Sequence, residues 1–278
     1  MICGLQPQNG HAKMGKMVEV GLLSWSECKV FIADLESAQS QFYPQGKMWF
    51  RGQSDSSFKL TTTLDRVSTE RVKVSDYYRT LSRVKPAVET MGRRHWPDLD
   101  WPKIAEDCRS FDFLSLHQLP AYNLLAHVRH HGFPSPLLDW SHSPFVAAYF
   151  AFEHTKSKNV AIYVYSERLS STKSYSSSEP VVKTSGPYVT THPRHFRQQA
   201  SYTTALRFEN GEWTFASHED VFNDRHNELQ DQVWKIEMPA SERRNVLGEL
   251  DRYNLNAYSL FGTEDALMTT LSFRNFDQ

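Results

Sequence analysis

Pro136-Leu137-Leu138-Asp139-Trp140-Ser141-His142-Ser143-Pro144-Phe145-Val146-Ala147-Ala148-Tyr149-Phe150-Ala151 passes from an apolar pair through a polar turn into a second apolar stretch. Leu137 and Leu138 read as a buried strand. Pro144 suits the first turn of a helix, where its missing NH forfeits no bond, and the helix is predicted to run through Phe152. A strand, a tight turn and a helix in succession place the chain among mixed α and β folds. Ligands gather at such turns because backbone NH groups at a helix start and polar side chains converge there. This turn holds an acid, an indole, two hydroxyls and a histidine.

Working outward, Trp49-Phe50-Arg51-Gly52-Gln53 reads as a second strand with a polar tip. Upstream, Met17 to Val20 alternates like a strand, and Ser24-Trp25-Ser26-Glu27 reads as a capping box opening a helix with Val30, Phe31, Leu35 and Ala38 at helical spacing. Glu70 to about Met91 is predicted helical, with Pro86 expected to kink or end it. Ser115 to His130 is predicted to be one helix closed by Gly132 and Pro134. Downstream, Val160 to Tyr165 reads as a strand, Ser170 to Ser178 as a mobile loop, 187–215 as short strands, Gln232 to Met238 as a strand, Glu242 to Leu250 as a helix and Asp265 to Leu271 as a last turn or two. Residues 1–16 read as a flexible N-terminus and 17–278 as a single α+β domain, helices first and strands after.

Composition sets broad limits. The 278 residues are 40% hydrophobic and 13% aromatic, enough for one well-packed domain with an aromatic-lined cleft. A formal net charge of −1 gives no global attraction for nucleic acid or an anionic membrane. No apolar run reaches the roughly 20 residues of a membrane span, and no signal peptide is visible. Cys3, Cys28 and Cys108 are scattered and odd in number, which fits reduced thiols in a cytoplasmic protein.

Three blocks together resemble the FRG domain family, named for its Phe-Arg-Gly motif. They are Phe50-Arg51-Gly52; the run from His131-Gly132-Phe133-Pro134 to Leu137-Leu138-Asp139-Trp140-Ser141, with Pro144, Ala147, Phe150 and Ala151; and Pro193-Arg194 through Gln198-Gln199 to Thr203. Ser135, Ser141 and Ala200 stand where the family favours Thr, Thr and Gly. The order of the blocks is also similar to ADP-ribosyltransferase-like enzymes. The resemblance implies N-terminal helices on a split, mainly antiparallel sheet, and a bacterial toxin or phage-defence effector that consumes NAD. Such a protein takes NAD as substrate, needs no resident cofactor or metal, and has a neutralising antitoxin as partner; neither nucleic acid nor membrane is expected.

Within that picture Arg51, Asp139, Gln199 and Glu264 are the candidate catalytic residues. Gly52, His131, Trp140, Ser141, Ser143 and Arg194 are candidates for binding substrate. Each also has an ordinary structural reading. Arg51 could be ion-paired at a strand end, Asp139 could cap the following helix, and Trp140 could be plain core. His130 and His131 close a helix, where a histidine is favourable by itself, and adjacent helical residues point about 100° apart and rarely share a metal. Glu264 follows Thr263, a candidate N-cap; Glu237, on a strand, is the second candidate carboxylate. A nucleotide- or protein-binding sensor without turnover is the rival reading. A nuclease is disfavoured by balanced charge and dispersed acids.

Overall fold

Capped helices and β-branched or aromatic runs alternate along the chain, and they assemble into one sheet with helices on both faces. The structure, a computed structural model, describes residues 17–44, 46–110, 113–114, 116, 118–167, 179–186, 193–224 and 231–277. Among them lie eleven helices, α1 (Trp25–Phe42), α2 (Thr63–Val67), α3 (Val74–Gly92), α4 (Trp101–Asp107), α5 (Tyr122–His130), α6 (Pro144–Phe152), α7 (Arg194–Arg197), α8 (His218–Asp224), α9 (Arg243–Arg252), α10 (Ala257–Phe261) and α11 (Glu264–Phe276). The strands are β1 (Val18–Leu22), β2 (Lys47–Gln53), β3 (Leu138–Ser141), β4 (Asn159–Glu167), β5 (Val181–Ser185), β6 (Ala200–Glu209), β7 (Glu212–Phe215) and β8 (Asp231–Pro239).

The sheet runs β1-β8-β4-β2-β3-β6-β5, with β7 also on β6. The β1–β8 pair is parallel and the other pairs are antiparallel. Alternation along β4 explains the layering. Val160, Ile162 and Val164 face one core with Phe50, α1, α6 and the C-terminal helices, while Ala161, Tyr163 and Tyr165 face another with Trp49, Trp140 and α8. A further core joins α3, α4 and α5 to β5, β6 and β7.

β2 and β3 join the halves of the sheet through one residue pair, Phe50 with Ser141, and then part. On its other side β2 pairs with β4 along its whole length, and β3 pairs fully with β6. Gly52 makes the helix above this gap possible: a Cβ there would lie 1.9 Å from the carbonyl oxygen of Ala147 in α6.

Several sequence expectations hold. Ser24 and Glu27 form the reciprocal capping box of α1, and α6 has the bounds read from Pro144 and Phe152. Others are corrected. Pro86 lies inside α3 and does not end it; the helix continues to Gly92. The helix expected from Ser115 begins at Tyr122; Pro120 and the left-handed Ala121 precede it, and proline disfavours helix in the residue before it. Within 187–215, Arg194–Arg197 is a helical turn, and β6 and β7 form a hairpin on Asn210-Gly211, both with positive φ. Strands are interleaved with helices instead of following them, and α11 is thirteen residues, longer than the turn or two expected. Residues 1–16 and the Ser170–Ser178 loop lie outside the described residues, as does Cys3; Cys28 and Cys108 are buried free thiols. Among the described residues no helix is long and apolar enough to cross a membrane.

Candidate functional site

The parting of β2 from β3 leaves a backbone carbonyl without a ladder partner, and a side chain takes its place. Arg51 sends its guanidinium into the gap, where Nη1 donates to the Asp139 carbonyl oxygen at 2.8 Å and lies 4.0 Å from Asp139 Oδ2. From α5, Arg129 donates through Nη2 to the same Oδ2. The carboxylate is thus held between two guanidiniums, and its Oδ1 accepts no hydrogen bond from any described residue. The Nε atoms of Arg51 and Arg129 are buried and also lack partners among the described residues. Burial pushes the Arg51 pKa down to about 10; Asp139 opposes that shift, and the charges of Arg129 and Arg66 add to it. Arg51 is therefore a charged donor at neutral pH.

These groups line a cavity of ≈ 470 Å³, within the range of small-molecule sites. Phe150 of α6 and Phe261 of α10 form apolar wall, Phe58 stands at the loop after β2, and Arg66 of α2 and Arg194 of α7 add two further cations. The Arg194 guanidinium lies 5.3 Å from the centre of the Phe261 ring. Among the described lining residues Asp139 is the one carboxylate. Such a cavity suits an anion with a flat apolar portion, since guanidiniums bind phosphate in bidentate fashion and aromatic faces stack on rings.

The turn after β3 is fixed from within. Ser141 Oγ accepts from Ser143 N at 3.0 Å and donates to the Gln198 carbonyl at 2.8 Å. Ser143 is the N-cap of α6, with Oγ accepting from Val146 N at 3.3 Å. The capping role read as an alternative for Asp139 therefore belongs to Ser143.

Residues 46–160 match the family model of the FRG domain. The chain carries an FRG domain. The matched segment spans β2 through α6 to the start of β4 and holds both sides of the β2–β3 gap, with Arg51, Arg66, Arg129 and Asp139. It ends before the third block, Pro193–Thr203, which supplies Arg194 and Gln198 to the same cavity. No curated protein and no solved structure gives a significant match to this chain.

The fold brings Arg51, Gly52, Asp139, Trp140 and Ser141 of the matched segment and Arg194 beyond it together around the cavity. It leaves four other candidates outside the lining. His131 is exposed at the end of α5 and packs its ring 4.5 Å from that of His127; its neighbour His130 lines the cavity instead. Gln199 is exposed with φ 47°, and Gln198 lines the cavity, its Nε2 3.5 Å from the Leu260 carbonyl. Ser143 is occupied as a cap, and Glu264 is exposed in the first turn of α11 behind the cap Thr263. Glu237, the second carboxylate considered, is on β8, ion-paired to Lys235 at 3.2 Å. Ala200, where the family favours Gly, starts β6 as a buried residue, and the positive φ falls on Gln199.

Residues that the sequence did not single out complete the site. Arg129 sits among buried apolar neighbours on α5, and a lone charge on such a helix was the available signal. Tyr202 of β6 lines the cavity, its hydroxyl 3.1 Å from His130 Nε2 and 2.9 Å from His195 Nε2. Behind the wall, Trp140 Nε1 donates to Thr203 Oγ1 at 2.7 Å, and that oxygen is 2.9 Å from His218 Nε2. Trp140 is thus both core and cavity wall, its indole NH committed to the interior.

His218 makes the fold sensitive to acid. Burial first, then the charge of Arg51, pushes its pKa down from 6.5 to about 3. An unfolded chain protonates this histidine below about 6.5 while the folded one does not, so the unfolded state binds more protons. Stability from this residue is intact above that pH and falls as pH drops toward 3, by up to about 1.4 kcal/mol per unit. Urea midpoints of the parent and His218→Gln at pH 7 and 4.5 test this. The variant is expected to show the shallower decline, and equal declines would remove His218 as the cause.

Proposed function

We propose that the cavity binds NAD and breaks its nicotinamide–ribose bond, as a glycohydrolase or by passing ADP-ribose to an acceptor. The observation that carries this reading is Asp139, the lone carboxylate of the described lining, placed between Arg51 and Arg129 with Oδ1 accepting from no described residue. When nicotinamide departs with the bonding electron pair, positive charge develops on the ribose. A fixed carboxylate beside that carbon stabilises the charge, and its free oxygen can accept from a ribose hydroxyl. The guanidiniums suit the pyrophosphate, and Phe150 and Phe261 suit the rings. The block order similar to ADP-ribosyltransferase-like enzymes agrees with this chemistry, with Gln198 in the cavity as the late amide. In a cell, such an activity would act as a toxin or phage-defence effector in the cytoplasm, restrained by a partner that closes the cavity.

The test is a time course of purified protein with NAD, following nicotinamide and ADP-ribose by chromatography. Release by the parent, lost in a folded Asp139→Asn variant, is the expected result. One observation favours a second reading, a nucleotide sensor without turnover: Asp139 Oδ2 is already shared by two guanidiniums. Thermal stabilisation by NAD with no product over hours would select the sensor.

A further inference from the structure

We infer that the cavity mouth reads a phosphomonoester in addition to a pyrophosphate, so that the preferred ligand is a dinucleotide of the NADP class over NAD. This deepens, and rests on, the dinucleotide reading of the same cavity. Arg51 and Arg129 are balanced in part by Asp139, whereas Arg66 feels only the nearby charge of Asp65 and forms no ion pair with a described residue. Its side chain lines the cavity, is exposed, and has no hydrogen bond or ion pair with any described residue. The adjacent carboxylate is committed elsewhere: Asp65 Oδ2 accepts from Thr62 N at 2.7 Å and from Thr62 Oγ1 at 2.9 Å, closing the capping box of α2. Three guanidiniums therefore bear on one carboxylate, and the charge of Arg66 is felt as far as Arg51. Like charges gathered in excess of the carboxylates beside them are unfavourable until an anion arrives.

Arg66 is also held ready. Its short helix is pinned to the loop before β3, with Leu64 N donating to the Ser135 carbonyl at 3.2 Å and Ser135 N donating to Thr63 Oγ1 at 3.0 Å. Phe58 lines the same cavity at half exposure, in the otherwise polar run Ser54–Lys59. Its backbone is anchored by Tyr163, whose hydroxyl donates to the Phe58 carbonyl at 2.9 Å. An aromatic ring and a guanidinium with no described partner, lining one cavity, fit an adenine ring with a phosphate on its ribose. NAD offers two phosphate charges offset by the nicotinamide cation. A 2′-phosphate adds roughly −1.5 to −2 at pH 7, as phosphomonoesters do, and arginine is the side chain that accommodates it.

Calorimetric titration of the intact chain with NAD and with NADP, at fixed salt, tests the inference. NADP is expected to bind about tenfold tighter or more, the range of a charge-assisted bond. Arg66→Ala is expected to bring the ratio of the two dissociation constants to near one; Arg66 is exposed, and unchanged melting checks that the variant folds. Equal affinities in the parent, or a preference that survives Arg66→Ala, would overturn the inference while leaving the dinucleotide reading in place. Failure of both nucleotides to bind at millimolar concentration would overturn the two together.

Discussion

Gly52→Ala is expected to destabilise the protein by about 3 kcal/mol or more, at the upper end of overpacking effects. The new methyl would sit 1.9 Å from the Ala147 oxygen and 2.6 Å from the Ala151 nitrogen. Both are backbone atoms of α6, so no side-chain rotation makes room. The helix would have to lift from β2, loosening the contacts of Phe50, Val146 and Ala151 in the same core. Thermal melting should show Tm falling by roughly 6 °C or more for a chain of this size. Gly132 gives the contrast: its φ is +84° but nothing lies within 4 Å of its Cβ position, so Gly132→Ala should cost only about 1 kcal/mol of backbone strain. A Tm for Gly52→Ala within about 2 °C of the parent would mean that β2 and α6 are not in the close contact described.

Asp139→Asn is expected to lower kcat for nicotinamide release by about 100-fold or more, the range seen when a group stabilising transition-state charge is removed. The amide keeps the shape of the carboxylate and can still accept from Arg129, so the fold should persist. Removal of the charge leaves Arg51 and Arg129 facing each other. Because Asp139 is about a third exposed, the stability loss should be about 1–3 kcal/mol, below the full penalty of a buried charge. The two guanidiniums become freer for the pyrophosphate, so KM should fall along with kcat. That joint drop separates a lost transition-state contact from a simple loss of binding. A kcat within threefold of the parent would remove Asp139 from the chemistry. In the sensor reading, the same variant binds the nucleotide more tightly and neither protein turns it over.

The local signals in this chain were legible because they depend on neighbours in sequence. The reciprocal bonds of Ser24 and Glu27 start α1, the strand, turn and proline of 138–144 start α6, and the β-branched and aromatic run makes β4. The sequence also marked Arg51, Gly52, Asp139, Trp140 and Ser141 by their motifs, and the antiparallel meeting of β2 and β3 at Phe50 and Ser141 brings the two stretches together. The helical pattern before His130 does not show that Pro120 delays α5 to Tyr122, while Asn210-Gly211 is a local turn signal that makes the β6–β7 hairpin.

Which side of a helix or turn meets the cavity was set by tertiary packing. His130 and not His131 faces inward, because neighbouring helical residues point about 100° apart and the phase is fixed by what the helix packs on; Gln198 closes α7 at the cavity while Gln199, with its positive φ, turns away. Arg66 and Arg129 join the site from α2 and α5, fifteen residues after Arg51 and ten before Asp139, and no local pattern ties them together. By itself the sequence determined the elements and the polar strand tips, through caps and periodicity. Only the tertiary structure decided the charge balance of the cavity, because that balance is a sum over side chains brought together by the parting of β2 from β3.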